Sequence, residues 1–162
     1  MAEQLIPIFS SLSVAVASRI VDEVVRLRVA HDILPLAVAV LDAGGQLVCF
    51  RRDDGCGVLR HDVALGKAWG ALGMGMSTRQ IRDRLAERPS FQAALAAASD
   101  GRFIPTTGGV LIVNAQRQAI GAVGISGDAS DKDEFCAIEA IRAAGLTPEP
   151  PAPAANWQGA GL

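Results

Sequence analysis

The chain has no tyrosine, and only 4% of its 162 residues are aromatic. A core built on stacked rings is therefore excluded, and Ala, Val, Leu and Ile must fill the interior. It lacks an excess of positive charge, with 15 Lys and Arg against 17 Asp and Glu, and no basic cluster interleaves with aromatics. That removes nucleic acid from the expected partners. No apolar run reaches the roughly 18 residues a membrane span needs. The apolar stretch from Leu5 to Ala17 follows Glu3 rather than a basic region, so it reads as part of a mature cytoplasmic chain and not as a signal peptide. The cysteines Cys49, Cys56 and Cys136 make no Cys-x-x-Cys or Cys/His metal spacing. Cys49 and Cys136 lie in apolar segments and read as buried thiols of a reducing compartment, whereas Cys56, in a Gly-rich loop, reads as exposed. Nucleophile-elbow, P-loop and His-Glu-x-x-His motifs are absent.

What remains is one domain of Ala, Val, Ile and Gly patterning, over residues 1–147, with a Pro/Ala-rich tail over 148–162 that reads as extended or disordered. After a loose lead over 1–12, Val14, Ala17, Val21 and Val24, widened by Ile20 and Leu27, recur at helical spacing and predict an amphipathic helix from Ser13 to His31. Leu36–Leu41 and Gln46–Arg51 flank Asp-Ala-Gly-Gly and predict a hairpin. A second hairpin is predicted from Val110–Val113 and Ala119–Ile125 around a polar turn. Between them lie helices from Leu59 to Met76, from Ser77 (with a capping box to Gln80) through Ala86, and over an Ala-rich segment after Pro89. A last helix, with Ser130 and Asp133 as its capping pair, ends at Gly145. Two hairpins cannot each bury a face alone, so they are expected to merge into one antiparallel sheet between helical layers.

Candidate chemistry is sparse. His61 opens the Leu59–Met76 helix beside Asp62, and an imidazole there can serve as an axial haem ligand, another metal ligand, a proton shuttle or a packed side chain. Lys67 sits mid-helix among small residues and either meets a carboxylate or snorkels outward. Gly66, Gly70 and Gly73 on that helix let something approach closely: another helix, a subunit or a flat ligand. Asp53 and Asp54 offer too few donors for a cation site and read as a solvated turn. Ser126–Ser130 precedes a helix and reads as a glycine turn or an anion loop. His31 reads as a helix-end residue, and Trp157 as an anchor for the tail, here or on a neighbouring subunit.

Three segments carry a resemblance: VAVLDAGGQLVCFRRDDG, the helix ALGKAWGAL, and TTGGVLIVNAQRQAIGAVGISG with Asp133 beyond it. In this order and spacing they are similar to the GlcG/HbpS/PduO C-terminal family of haem-binding-like proteins, over roughly Ser13 to Gly145. The resemblance implies a profilin-like three-layer α-β-α fold of the α/β (α+β) class with a central antiparallel sheet, assembling as a homo-oligomer. It implies a small-molecule ligand, haem or a related tetrapyrrole, with haem degradation or redox sensing as the role. The alternative it implies is an accessory protein or enzyme acting on a small organic acid in glycolate- or diol-type metabolism. On that reading His61 is the haem-iron ligand, Arg51, Arg52 and Lys67 are the cations for propionates or a carboxylate, and Thr106, Thr107, Gly108 and Gly109 line the site. The chain departs from the family pattern at Asp53, at His61-Asp62 and at Leu111. A third expectation is an assembly protein whose Gly/Ala surfaces serve subunit packing alone.

Overall fold

A computed structural model describes residues 5–162. Five strands form a single sheet in the order β2-β1-β4-β3-β5, with every neighbouring pair antiparallel. They are β1 (Ala37–Asp42), β2 (Leu47–Arg52), β3 (Gly109–Val113), β4 (Ala119–Ser126) and β5 (Thr147–Glu149). The two expected hairpins do merge: β1 pairs with β4 along its whole length, from Ala37 opposite Ser126 to Asp42 opposite Gly121.

Helices cover both faces. On one lie α1 (Val14–Ala30) and α5 (Ser130–Ala143). On the other lies α2 (Leu59–Met74), flanked by α3 (Thr78–Leu85) and α4 (Pro89–Ala98). The three-layer expectation is met. Period-two alternation sorts the strand residues between layers. Val38, Val40, Val110, Ile112, Val123 and Ile125 pack with Ile20, Val21, Val24, Ile138 and Ile141 of α1 and α5. Their alternates Leu41, Leu111 and Ala122 meet Ala68 and Ala71 of α2, while Ala37 and Ala39 meet Ala64.

The α2 face is lined with small residues because the helix backbone nearly touches the sheet. A Cβ on Gly124 would stand 2.0 Å from the Ala64 carbonyl oxygen, and one on Gly109 would stand 2.3 Å from that of Lys67. Both distances are far inside van der Waals contact, so glycine is required at each position. Gly109 and Gly124 therefore serve a helix–sheet contact within the chain.

Several local expectations change. Val14 is exposed on α1, whose buried stripe is Ala17, Ile20, Val21, Val24 and Leu27. The capping box at Ser77 and Gln80 is present on α3. No side chain caps α5: its N-cap is Ala129, and Asp133 accepts from the Asp128 N–H while pairing with Lys67. Cys56 is buried against Ala37, Ala39 and Ala64, because its loop folds under the start of α2 rather than into water. The Pro/Ala-rich tail is not free. Thr147–Glu149 extends the sheet along β3, and Trp157 stacks on Phe135 at 3.5 Å, with the His31 ring edge-on to both. Sequence composition favoured disorder there, but apolar contact with α5 and strand pairing outweigh it. Residues 1–4, part of the loose lead, lie outside the described residues; Leu5–Ser10 have no regular structure and Leu12 is buried.

Candidate functional site

Small residues bring α2 down onto the centre of the sheet, and this leaves the β1–β2 hairpin standing proud beside it. The segment Arg102–Ile104 crosses the outer side of α2 at Gly66, where a Cβ would lie 2.3 Å from Ile104 Cγ1 and 2.6 Å from the Arg102 carbonyl oxygen. Between hairpin, helix and crossing segment lies a cleft of about 630 Å³. Its walls are mainly apolar, with Leu47, Leu59, Val63, Trp69 and Ile104 the large side chains. Gln46, Asp62, Asp100 and Arg102 supply polar edges. The Arg102 guanidinium lies 4.3 Å over the Trp69 ring, and Gly45, at φ +77°, rests against the same indole. Such a cleft, apolar with a few convergent polar groups, has the size and character of a small-molecule site.

The expected site residues fall into three places. His61 stands on the first turn of α2, between Leu59 and Asp62 of the cleft, half-exposed, with its ring edge-on to Phe50 at 4.8 Å. Its Nδ1 lies 3.2 Å from Asp62 Oδ1. With Nδ1–H donating to that carboxylate, Nε2 keeps its lone pair, the arrangement that orients histidine ligands on metals.

Lys67, Thr107, Gly108 and Gly109 gather elsewhere, at the junction of α2, β3 and α5. Lys67 is 2% exposed; its Nζ donates to the Ile125 carbonyl at 2.8 Å and to Asp133 Oδ2 at 2.9 Å. Burial pulls both members toward neutrality, lowering Lys67 against the opposing charge of Asp133 and pushing Asp133 up to about 6 against that of Lys67. Gly108, at φ +121°, leaves the space that the ammonium fills: a Cβ there would be 2.8 Å from Nζ. Gly109 N–H donates to Thr78 Oγ1 at 2.7 Å, and Thr107 Oγ1 accepts from Arg82 at 3.0 Å. This cluster is closed: Lys67 and Thr107 are buried, and the side-chain polar atom of each has a partner within the chain. Thr106 is exposed beside it.

Arg51 lies on the opposite face of the sheet from α2. It is paired in register with Val38, and with Arg28 and Asp53 it lines a shallow depression below α1. Asp53 is no solvated turn residue: it accepts the Leu36 N–H at 3.1 Å and meets Arg28 at 3.2 Å and Arg51 at 3.4 Å. Arg52 lines the same depression. Lys67 and Arg51 therefore do not converge on one carboxylate, and an organic acid held between them has no common site. Among the described residues no group of three or more His, Cys, Asp or Glu is placed to hold a metal ion. Ser126–Ser130 is a packed turn, with Gly127 against the Pro35 carbonyl and Ser126 Oγ accepting from Arg60.

Trp69, Arg102, Leu47 and Ile104, which build the cleft, were not singled out from sequence. A tryptophan on a helix otherwise faced with Ala and Gly was the available signal. Its partner Arg102 is 33 residues away and becomes visible only when the segment after α4 crosses α2.

Comparison with known proteins agrees with this architecture. A family model described as haem degrading protein HbpS-like matches residues 12–142. An uncharacterised 15.0 kDa protein from the dhaT-dhaS intergenic region of Citrobacter freundii is 31% identical over 108 residues, spanning 67% of this chain and 75% of that protein. The crystal structure of Klebsiella pneumoniae protein ORFY superimposes with a TM-score of 0.75 at 25% identity, covering 90% of this chain and 98% of that one. That of a PduOC:heme complex also gives 0.75, at 24% identity, covering 83% and 96%. No helix among the described residues is long and apolar enough to cross a membrane. The α-β-α sandwich, its glycine-bedded central helix and these matches together place the chain in the HbpS-like family.

Proposed function

We propose that the chain binds a flat, mostly apolar ligand, haem or a related tetrapyrrole, in the cleft beside α2. The cleft itself carries the reading: about 630 Å³ walled by Leu47, Val63, Trp69 and Ile104 suits the body of a porphyrin, and Arg102 at its edge suits a propionate. The HbpS-like family description and the likeness in fold to a protein crystallised with heme support the same ligand class. The cleft wall contains no His, Cys, Met or Tyr, so iron ligation from this chain falls to His61 at its margin, through Nε2. Haem held there would supply a redox-active iron. The chain's own contribution would be an apolar bed, a cation for the acidic edge and an imidazole oriented by Asp62.

Titration of the full chain with haemin, followed by absorbance, tests this. A saturable Soret shift is expected, weakened about tenfold or more in Trp69→Ala and changed in position in His61→Ala. Absence of a saturable change in the wild type, or a shift that both variants reproduce unaltered, overturns the proposal.

A further inference from the structure

Among the described residues, the arginines that form ion pairs each have an acid to themselves, with one exception. Arg26 gives Nε and Nη2 to Glu23, while Arg79 meets Glu134, Arg82 meets Asp83, Arg117 meets Glu149 and Arg142 meets Glu139. The exception is Asp53, which two arginines share. Arg28 Nε stands 3.2 Å from its Oδ2 and Arg51 Nε stands 3.4 Å from its Oδ1. Both distances exceed the roughly 2.7–2.9 Å of a tight charge-assisted hydrogen bond. The Arg28 Nε is moreover buried without a hydrogen-bond partner.

Asp53 is not free to swing toward either arginine. Its N–H donates to the Leu36 carbonyl at 2.9 Å, and its Oδ2 accepts the Leu36 N–H at 3.1 Å. Arg52 and Asp54 line the same depression with Val25, and neither forms an ion pair among the described residues. Three guanidinium groups thus stand around two carboxylates, one of which is already held by the backbone. The C-terminal end of α1 accounts for a cation at Arg28, and Asp53 accounts for one partner. Neither accounts for the second and third arginines. Arg51 was a cation expected to hold a ligand, and the cleft makes no use of it.

We propose that Arg28, Arg51 and Arg52 hold the phosphate group of a small phosphate monoester in this depression. Arg28 and Arg51 both approach Asp53 through Nε, which leaves the terminal Nη edge of each guanidinium to fork onto oxygen. A phosphate monoester carries nearly two negative charges at neutral pH and three acceptor oxygens set tetrahedrally. It can therefore accept from two guanidiniums at once, where a second planar carboxylate would only repeat what Asp53 supplies. The depression measures about 270 Å³. That is just under the roughly 300–1,000 Å³ of ordinary ligand pockets, so it suits the phosphate and a few attached atoms. It lies across the sheet from the cleft beside α2, and its ligand is independent of any bound there.

Calorimetric titration of the full chain, without haem, with methyl phosphate tests this. Malonate is titrated in parallel, with ionic strength held constant because exposed charges are screened by salt. Saturable binding of one methyl phosphate per chain is expected in the wild type, with a raised melting temperature. Affinity should fall at least tenfold in Arg51→Gln, which leaves the Arg28–Asp53 contact in place, and stay unchanged in Arg26→Gln. Circular dichroism confirms folding, and Arg52→Gln carries the same expectation should Arg51→Gln fail to fold. A wild type with neither saturable heat nor a raised melting temperature overturns the proposal. So does a folded Arg51→Gln that binds as the wild type does, an equal loss in Arg26→Gln, or malonate bound as tightly as methyl phosphate.

Discussion

The two faces of the sheet are packed in opposite ways. Toward α1 and α5 the strands present Val and Ile, which interdigitate with Ile, Val and Ala of the helices, and cohesion comes from volume. Toward α2 they present Ala and Gly where the helix backbone comes closest, with Leu41, Leu111 and Val113 packed around that contact, and cohesion comes largely from close approach of backbones. A layer packed by volume covers its sheet evenly. A helix sunk onto glycines lies low over the middle strands and leaves the hairpin edge uncovered, and the cleft opens there. The thinner face is thus the one that can receive a flat ligand. The layers are then tied around the β3 end by ion pairs from α2 and α3 to successive residues of α5, Lys67 to Asp133 and Arg79 to Glu134.

This contrast can be broken at its strongest tie first. Asp133→Ala strands the Lys67 ammonium in the interior and is expected to cost about 3–5 kcal/mol in urea unfolding. The double variant Lys67→Met/Asp133→Leu should recover most of that, because no buried charge remains unpaired. A double variant no more stable than the single one would show that the pair is not the cause. Next, the faces should respond oppositely to size. Gly124→Val drives a side chain into the Ala64 carbonyl and should cost at least about 1–3 kcal/mol, whereas Ile125→Val, one residue along on the volume-packed face, should cost about 0.5–1.5 kcal/mol. Equal costs at the two positions would erase the distinction. Trp157→Ala should remove the stack on Phe135 for roughly 1 kcal/mol, and hydrogen exchange should rise in 147–160 but not in the sheet centre.

A separate test lies in pH. Glu134 is buried; burial pushes it up to about 7, against the pull of Arg79 at 3.2 Å and the weaker pull of the Ala154 backbone N–H. A carboxyl raised on folding binds its proton more tightly in the native state. Its contribution to stability is therefore full below pH 4.5 and is lost as pH rises through about 7. Asp133, raised to about 6, has the same sign over a lower window. Glu134→Gln should flatten the decline between pH 4.5 and 7 relative to wild type, measured as denaturation midpoints across that range; an unchanged slope would mean that Glu134 does not titrate there.

Much of this was written locally. Helical spacing from Ala17 to Leu27 assigned the face of α1, the Ser77–Gln80 pair marked the start of α3, and the two alternating apolar runs around polar turns gave both hairpins to within a residue or two. Those signals survive because each depends on neighbours a few residues apart. The site was less legible. His61, Lys67 and Arg51 looked like one constellation, yet a one-residue offset on a strand sends Arg51 to the opposite face from Phe50, on which His61 packs. On α2, Lys67 is turned away from the cleft and into a closed pair with Asp133. The sequence alone determined the elements, their antiparallel merging and the demand for glycine, because period and local sterics are properties of the chain itself. Only the tertiary structure decided which face each cation takes, that the tail pairs with β3, and that Trp69 and Arg102 meet over a cleft, because those contacts join residues that nothing along the chain brings together.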